Sequence, residues 1–157
     1  MPTWPEVQSY VRNKYKLFKD EPEKFAVMFK ENETRSQIIW VRPFKSYNQD
    51  FLEFKSYFCK ESEMTPLVGM RKNAEVTLGF IALVGEHYAL LWNVPMKNMD
   101  VEEFDLPLNV VASRADELER LYSAGKDDYL LLTARRPQRR SPPKMRRSRT
   151  SPHAATW

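Results

Sequence analysis

The chain has 157 residues, the usual size of one domain, and its 42% apolar and 13% aromatic content suffices for a single hydrophobic core. Its formal charge of +4 conceals a division: eight of the 25 Lys and Arg fall in residues 135–157, which hold no acid, leaving 17 against 21 acidic side chains in residues 1–134, a formal −4. The folded part is therefore not a basic nucleic-acid binder, no run approaches the roughly 18 apolar residues of a bilayer span, and no basic-then-apolar leader is seen, so a soluble cytoplasmic protein is expected.

Thr3-Trp4-Pro5-Glu6 has the form of a capping box. The spacing of Trp4, Val7, Val11, Tyr15 and Phe18 predicts one helix with a buried stripe, stopped by Asp20-Glu21-Pro22. From Lys24 the period changes to two. Phe25, Val27 and Phe29, then Ile38, Ile39, Trp40 and Val41 beyond a polar stretch, predict a hairpin of two strands. Pro43 is expected to end the second strand or to mark it as an edge. A third strand follows at 51–59, with Leu52, Phe54 and Phe58 facing one way and Glu53, Lys55 and Tyr57 the other. Met64, Leu67, Val68 and Met70 suggest a short helix or helical turn interrupted by Pro66 and Gly69.

Two apolar strands, 78–84 and 88–94, flank the turn Gly85-Glu86-His87. Asp100 with Glu103 starts a long helix whose stripe is Val101, Phe104, Leu108, Val111, Ala115, Leu118 and Tyr122. Pro107 within it predicts a kink or a restart, and Gly125 a stop. Residues 128–133 read as a last strand or a turn. The expected fold is α+β, a sandwich of order α-β-β-β-α-β-β-α whose antiparallel sheet is covered on one face by helices. A single globular domain spans 1–134, and the Arg/Ser/Pro-rich segment 135–157, with almost nothing apolar to bury, is expected to be a disordered basic tail.

Catalytic signatures are sparse. The four glycines, Gly69, Gly79, Gly85 and Gly125, are too scattered for a phosphate loop. Cys59 is the only cysteine, and neither His87 nor His153 has metal-ligand spacing to it, so no structural zinc is expected. A Cys59–His87 or Ser113–Asp116 pair would be the nucleophile–base candidates, but Cys59 closes a strand and His87 falls in a turn, positions that suit ordinary packing. Asp100, Glu102, Glu103 and Asp105 occupy a first helical turn, where they complement the macrodipole. Arg114, Asp116, Glu117, Glu119 and Arg120 fall between the apolar positions of the long helix as a solvated face. The expectation is a non-enzymatic protein without cofactor or metal.

The aromatic excess is more informative. Trp40, Phe44, Tyr57 and Trp92 lie on strands with two faces; they either complete the core or form an exposed patch of the kind that marks a protein interface. In the tail, Arg135, Arg136, Arg139, Arg140, Lys144, Arg146, Arg147 and Arg149 offer weak, nonspecific contacts to a nucleic-acid phosphate backbone, an anionic membrane surface or an acidic partner. Phosphorylation of Ser141, Ser148 or Ser151 would cancel part of that charge.

Three stretches resemble the YbjN family and, more distantly, the type III secretion chaperone-like fold. They are residues 67–73 with 78–83, a helix ending in Asn before an apolar strand; residues 85–95, a turn and strand ending in Val94-Pro95; and residues 99–105 with Ala115-Asp116-Glu117-Leu118, a last helix with an acidic first turn. The resemblance covers residues 65–124 and implies a commonly dimeric sandwich that binds other polypeptides. A chaperone-like or adaptor module is the expected function, its partner another protein or a second copy of itself. The competing class is a nucleic-acid-associated protein anchored by the tail.

Overall fold

The computed structural model describes residues 1–30, 33 and 35–123. Gly125, the segment 128–133 and the basic tail lie outside the described residues. Among those described, the chain forms α1 (Trp4–Lys14), β1 (Leu17–Glu21), β2 (Lys24–Lys30), β3 (Ser36–Ser46), β4 (Gln49–Lys60), α2 (Pro66–Asn73), β5 (Phe80–Val84), β6 (His87–Pro95) and α3 (Val101–Tyr122), with a 3-10 turn at Glu61–Glu63. The strands make one antiparallel sheet in the order β1-β2-β3-β4-β6-β5, which is the expected α+β class.

The first helix is shorter than its apolar spacing predicts. Glu6 closes its amino end by accepting from the Thr3 backbone N–H at 2.7 Å and the Thr3 hydroxyl at 2.8 Å. It ends at Lys14, Tyr15 is already extended, and residues 17–21 pair with β2 as an additional strand. From Tyr15 onward, half-buried and exposed residues alternate, with Leu17 turned toward the core and Phe18 toward solvent. Pairing with β2 satisfies the backbone that a helix would otherwise satisfy internally, and the spacing of three between Tyr15 and Phe18 is incidental. Trp4 fixes the helix on the β1–β2 turn by stacking on Phe25 at 5.2 Å and donating its indole N–H to the Pro22 carbonyl at 2.7 Å.

β3 does not stop at Pro43. It continues to Ser46 and turns through Tyr47 and Asn48, both at positive φ, into β4. β2 pairs with β3 no further than Val41, so at Pro43 the strand is locally an edge and loses no ladder donor. Pro66 likewise does not interrupt α2. It is the first helical residue after the Thr65 cap, where a missing N–H costs nothing. α3 runs unbroken through Pro107 as one element.

The helices bury one face of the sheet in two adjoining clusters. α1 and the first half of α3 cover Phe25, Val27, Ile39, Val41, Leu52 and Phe54. The second half of α3, through Ala115 and Leu118, covers Phe58, Cys59, Ile81, Tyr88 and Leu90, joined by Met64 and, from α2, Val68. The carboxylate of Asp105 ties the layers together, accepting from Tyr15 Oη at 2.6 Å, Tyr10 Oη at 2.9 Å and Lys14 Nζ. Arg35, just before β3, bonds to Asp116 on the buried side of α3. No described helix is long and apolar enough to cross a membrane.

Candidate protein-binding surface

The four aromatics singled out in the sequence do not share a surface. Trp92 packs with Val94 beneath the helices as part of the main core. Trp40 lies on the helix-free face but is only 7% exposed, packed with Ala26 and Ile38 and roofed by Lys24 Nζ at 4.8 Å and Lys19 Nζ at 5.9 Å from its ring centroid. The two lysines cover the indole while their ammonium groups stay at its face, a cation–π arrangement that removes it from contact with a partner. Tyr57 is half-buried beside it, with Lys55 Nζ 5.6 Å above the ring and His87 edge-on at 6.3 Å. Phe44 stacks on Phe51 at 5.4 Å near the β3–β4 turn. The eight cationic residues between 135 and 149 lie outside the described residues.

The nucleophile–base candidates are also separated. Beyond a β-bulge in β4, Cys59 pairs with Tyr88 and joins the helix-covered core, while His87 belongs to the opposite face with Tyr57. Burial, aided by the Glu63 charge, pushes the Cys59 thiol up to about 12, so it stays protonated at neutral pH. Asp116 is engaged by Arg35 and by Arg120 at 3.2 Å rather than by Ser113. The cap carboxylate Asp100 accepts from the Glu103 backbone N–H at 2.8 Å.

Among the described residues, five of the eleven exposed large apolar side chains lie on or beside α2 and the edge strand β5. Leu67 and Met70 on the outer side of α2 are 61% and 71% exposed; Leu78, Phe80 and Leu83 on and before β5 are 39%, 42% and 43% exposed. β5 has a sheet neighbour on only one side, β6. Its sequence Phe-Ile-Ala-Leu-Val has no polar alternation, so an edge position with one covered face necessarily leaves large side chains in water. Gly79 lets the chain enter this strand at φ +84°, where a Cβ would stand 2.6 Å from the Leu91 carbonyl oxygen.

Asn73, the last residue of α2, controls what this edge can do. Its side-chain carbonyl accepts from the Ile81 N–H at 2.6 Å, and its amide nitrogen donates to the Ile81 carbonyl at 3.1 Å. One carboxamide thus takes both groups that Ile81 would offer to a neighbouring strand, and an added strand is blocked there. At Ile81 a further chain could touch this edge only through side chains. The sequence placed both elements but not this surface; its signal was the unalternating strand following a helix with apolar residues on both sides.

A cleft of about 430 Å³ opens at the other end of the helical layer, between the amino ends of α1 and α3, lined by Val7, Tyr10, Met99, Val101 and Phe104 among others. Compared with protein-family models and with curated proteins, the chain matches none.

Proposed function

We propose that the protein is a non-enzymatic polypeptide-binding module, chaperone-like or adaptor in kind, which holds a partner against the apolar surface of α2 and β5. The observation that carries this reading is that Leu67 and Met70 of α2, Leu78 before β5, and Phe80 and Leu83 on the two faces of β5 are all exposed around a sheet edge whose backbone is blocked at Ile81. Patches of this kind mark interaction sites, and a blocked edge favours selection of apolar side chains over indiscriminate strand pairing. The order of elements, apart from the additional β1, is that implied by the resemblance to the YbjN and secretion-chaperone architecture, whose members bind polypeptides. A homodimer formed through the same surface belongs to this proposal.

The test uses the full chain and a defined client, the insulin B chain released by reduction. Wild type is expected to slow its aggregation in proportion to dose, and the variant Met70→Glu/Phe80→Glu to lose that effect with an unchanged thermal midpoint, since both side chains are exposed. Equal protection by wild type and variant refutes the assignment of the surface.

A further inference from the structure

We infer that the helix-free face of β1–β4 is a second interaction surface, which receives an acidic stretch of a polypeptide on Lys19, Lys24, Arg42 and Lys55. It stands without the reading given to α2 and β5.

Strand register assembles these cations. Lys19 lies opposite Ala26, Ala26 opposite Trp40 and Trp40 opposite Lys55, one row across four strands on the helix-free face. Two residues along, Glu21 is opposite Lys24 and Arg42 opposite Glu53. The four cations share these two acids. Glu21 meets Lys19 Nζ at 2.7 Å and Lys24 Nζ at 3.8 Å, and Glu53 meets Arg42 Nε at 2.8 Å and Lys55 Nζ at 3.3 Å. Two positive charges are left over. Residues 1–134 carry a formal −4, so this surplus is gathered on one face and does not follow from the overall charge.

The ammonium groups are also held in position from below. Trp40 sits under Lys24 Nζ and Lys19 Nζ, and Tyr57 under Lys55 Nζ. A lysine already settled on a ring has less side-chain freedom to lose when it meets an anion. Lys19, Lys24 and Arg42 remain open to water at their side chains.

Glu21 shows which anion fits, since its one carboxylate spans two ammonium groups. Nucleic acid on a sheet stacks its bases on open aromatic faces, and the Trp40 ring offers none beneath its lysines. Carboxylates need only the cations. From β1 to β4 is three strand spacings, about 14 Å. An extended segment crosses that distance in about five residues.

Fluorescence anisotropy of a fluorescein-labelled oligoglutamate peptide, titrated with the full chain, tests the inference. Lys19→Gln/Lys24→Gln is expected to weaken binding about tenfold. Lys45→Gln/Lys97→Gln makes the same charge change on exposed residues at the β3–β4 turn and after β6, and is expected to cost less than about twofold. Glu21→Gln releases both lysines and is expected to tighten binding, whereas Glu23→Gln in the adjacent turn changes it less. A gain of affinity does not arise from damage to the fold, and residues 135–157 are present in every variant, so their contribution cancels. Equal effects of the two double variants, or no gain from Glu21→Gln beyond that of Glu23→Gln, overturn the inference. An oligothymidylate probe that loses more affinity than oligoglutamate on Lys19→Gln/Lys24→Gln gives the face to nucleic acid and overturns the choice of an acidic polypeptide.

Discussion

Asn73 offers the sharpest test of how the β5 edge is managed. Its carboxamide makes two hydrogen bonds to Ile81, whose residue surface is 7% exposed, so Asn73→Ala leaves a nearly buried N–H and C=O to partial hydration. At about 1 kcal/mol for each lost bond, the variant is destabilised by about 2 kcal/mol. A folded part of about 120 residues has an unfolding entropy near 0.25 kcal/mol/K, so the thermal midpoint falls by about 8 °C. Asn73→Asp separates the two bonds. The ionised carboxylate still accepts from the Ile81 N–H but stands against the Ile81 carbonyl, whereas the protonated acid presents one donor and one acceptor as the amide does. Folding therefore raises the pKa of the new carboxyl, and its stabilising contribution is present at low pH and lost as pH rises through that value. The assay is a set of thermal melts from pH 3 to 8 on wild type and both variants. An alanine variant melting within 1 °C of wild type, or an aspartate variant whose deficit does not change with pH, would refute the capping role.

A second pH dependence belongs to Asp105. Burial opposes its charge, but the hydrogen bonds from Lys14, Tyr15 and Tyr10 prevail and hold the carboxyl below its ordinary 3.8. Its contribution is thus present above about pH 4 and lost as pH falls through the depressed value, so the difference in midpoint between wild type and Asp105→Asn should be largest near neutrality and vanish toward pH 2. Tyr15, raised above its ordinary 10.0 by burial and by this carboxylate, sets the other limit: stability declines as pH rises beyond 10. For the tail, eight cations without an acid predict polyanion binding whose logarithmic salt slope is at most about 7 on duplex DNA, lost when the five arginines from 135 to 146 become Gln. Retention of sequence-specific binding in that variant would instead assign the contacts to residues 1–134.

Much of the fold was legible because its signals are local. The cap at Asp100, the seven-position stripe of α3 and the alternation of β4 each act within a few residues, and each element formed where it was expected. β1 was missed because Tyr15 and Phe18 continue a helical spacing by chance, and only pairing with β2 separates the alternatives. Pro43 misled for the same reason: whether a proline harms a strand depends on whether a neighbour stands opposite, and β2 has already stopped. The exposed apolar side chains around β5 were less legible still. Trp40 and Phe80 are equally plausible as exposed aromatics by type, and what distinguishes them is that two lysines cover the first while the second stands on an outermost strand.

The two edges of the sheet differ in how they are protected, and the difference supports the proposed role of the α2–β5 surface. An open edge threatens aggregation, and β1 answers that threat in the usual way, with five residues of which Lys19, Asp20 and Glu21 are charged. β5 has the same length and carries no charge at all. Had protection been its only requirement, lysines at 80 and 83 would have served, since neither side chain belongs to the buried clusters. The protein instead blocks the backbone at one residue with Asn73 and leaves the side chains apolar. That combination suppresses ladder pairing while preserving affinity for a hydrophobic segment, a separation that a purely defensive edge does not need.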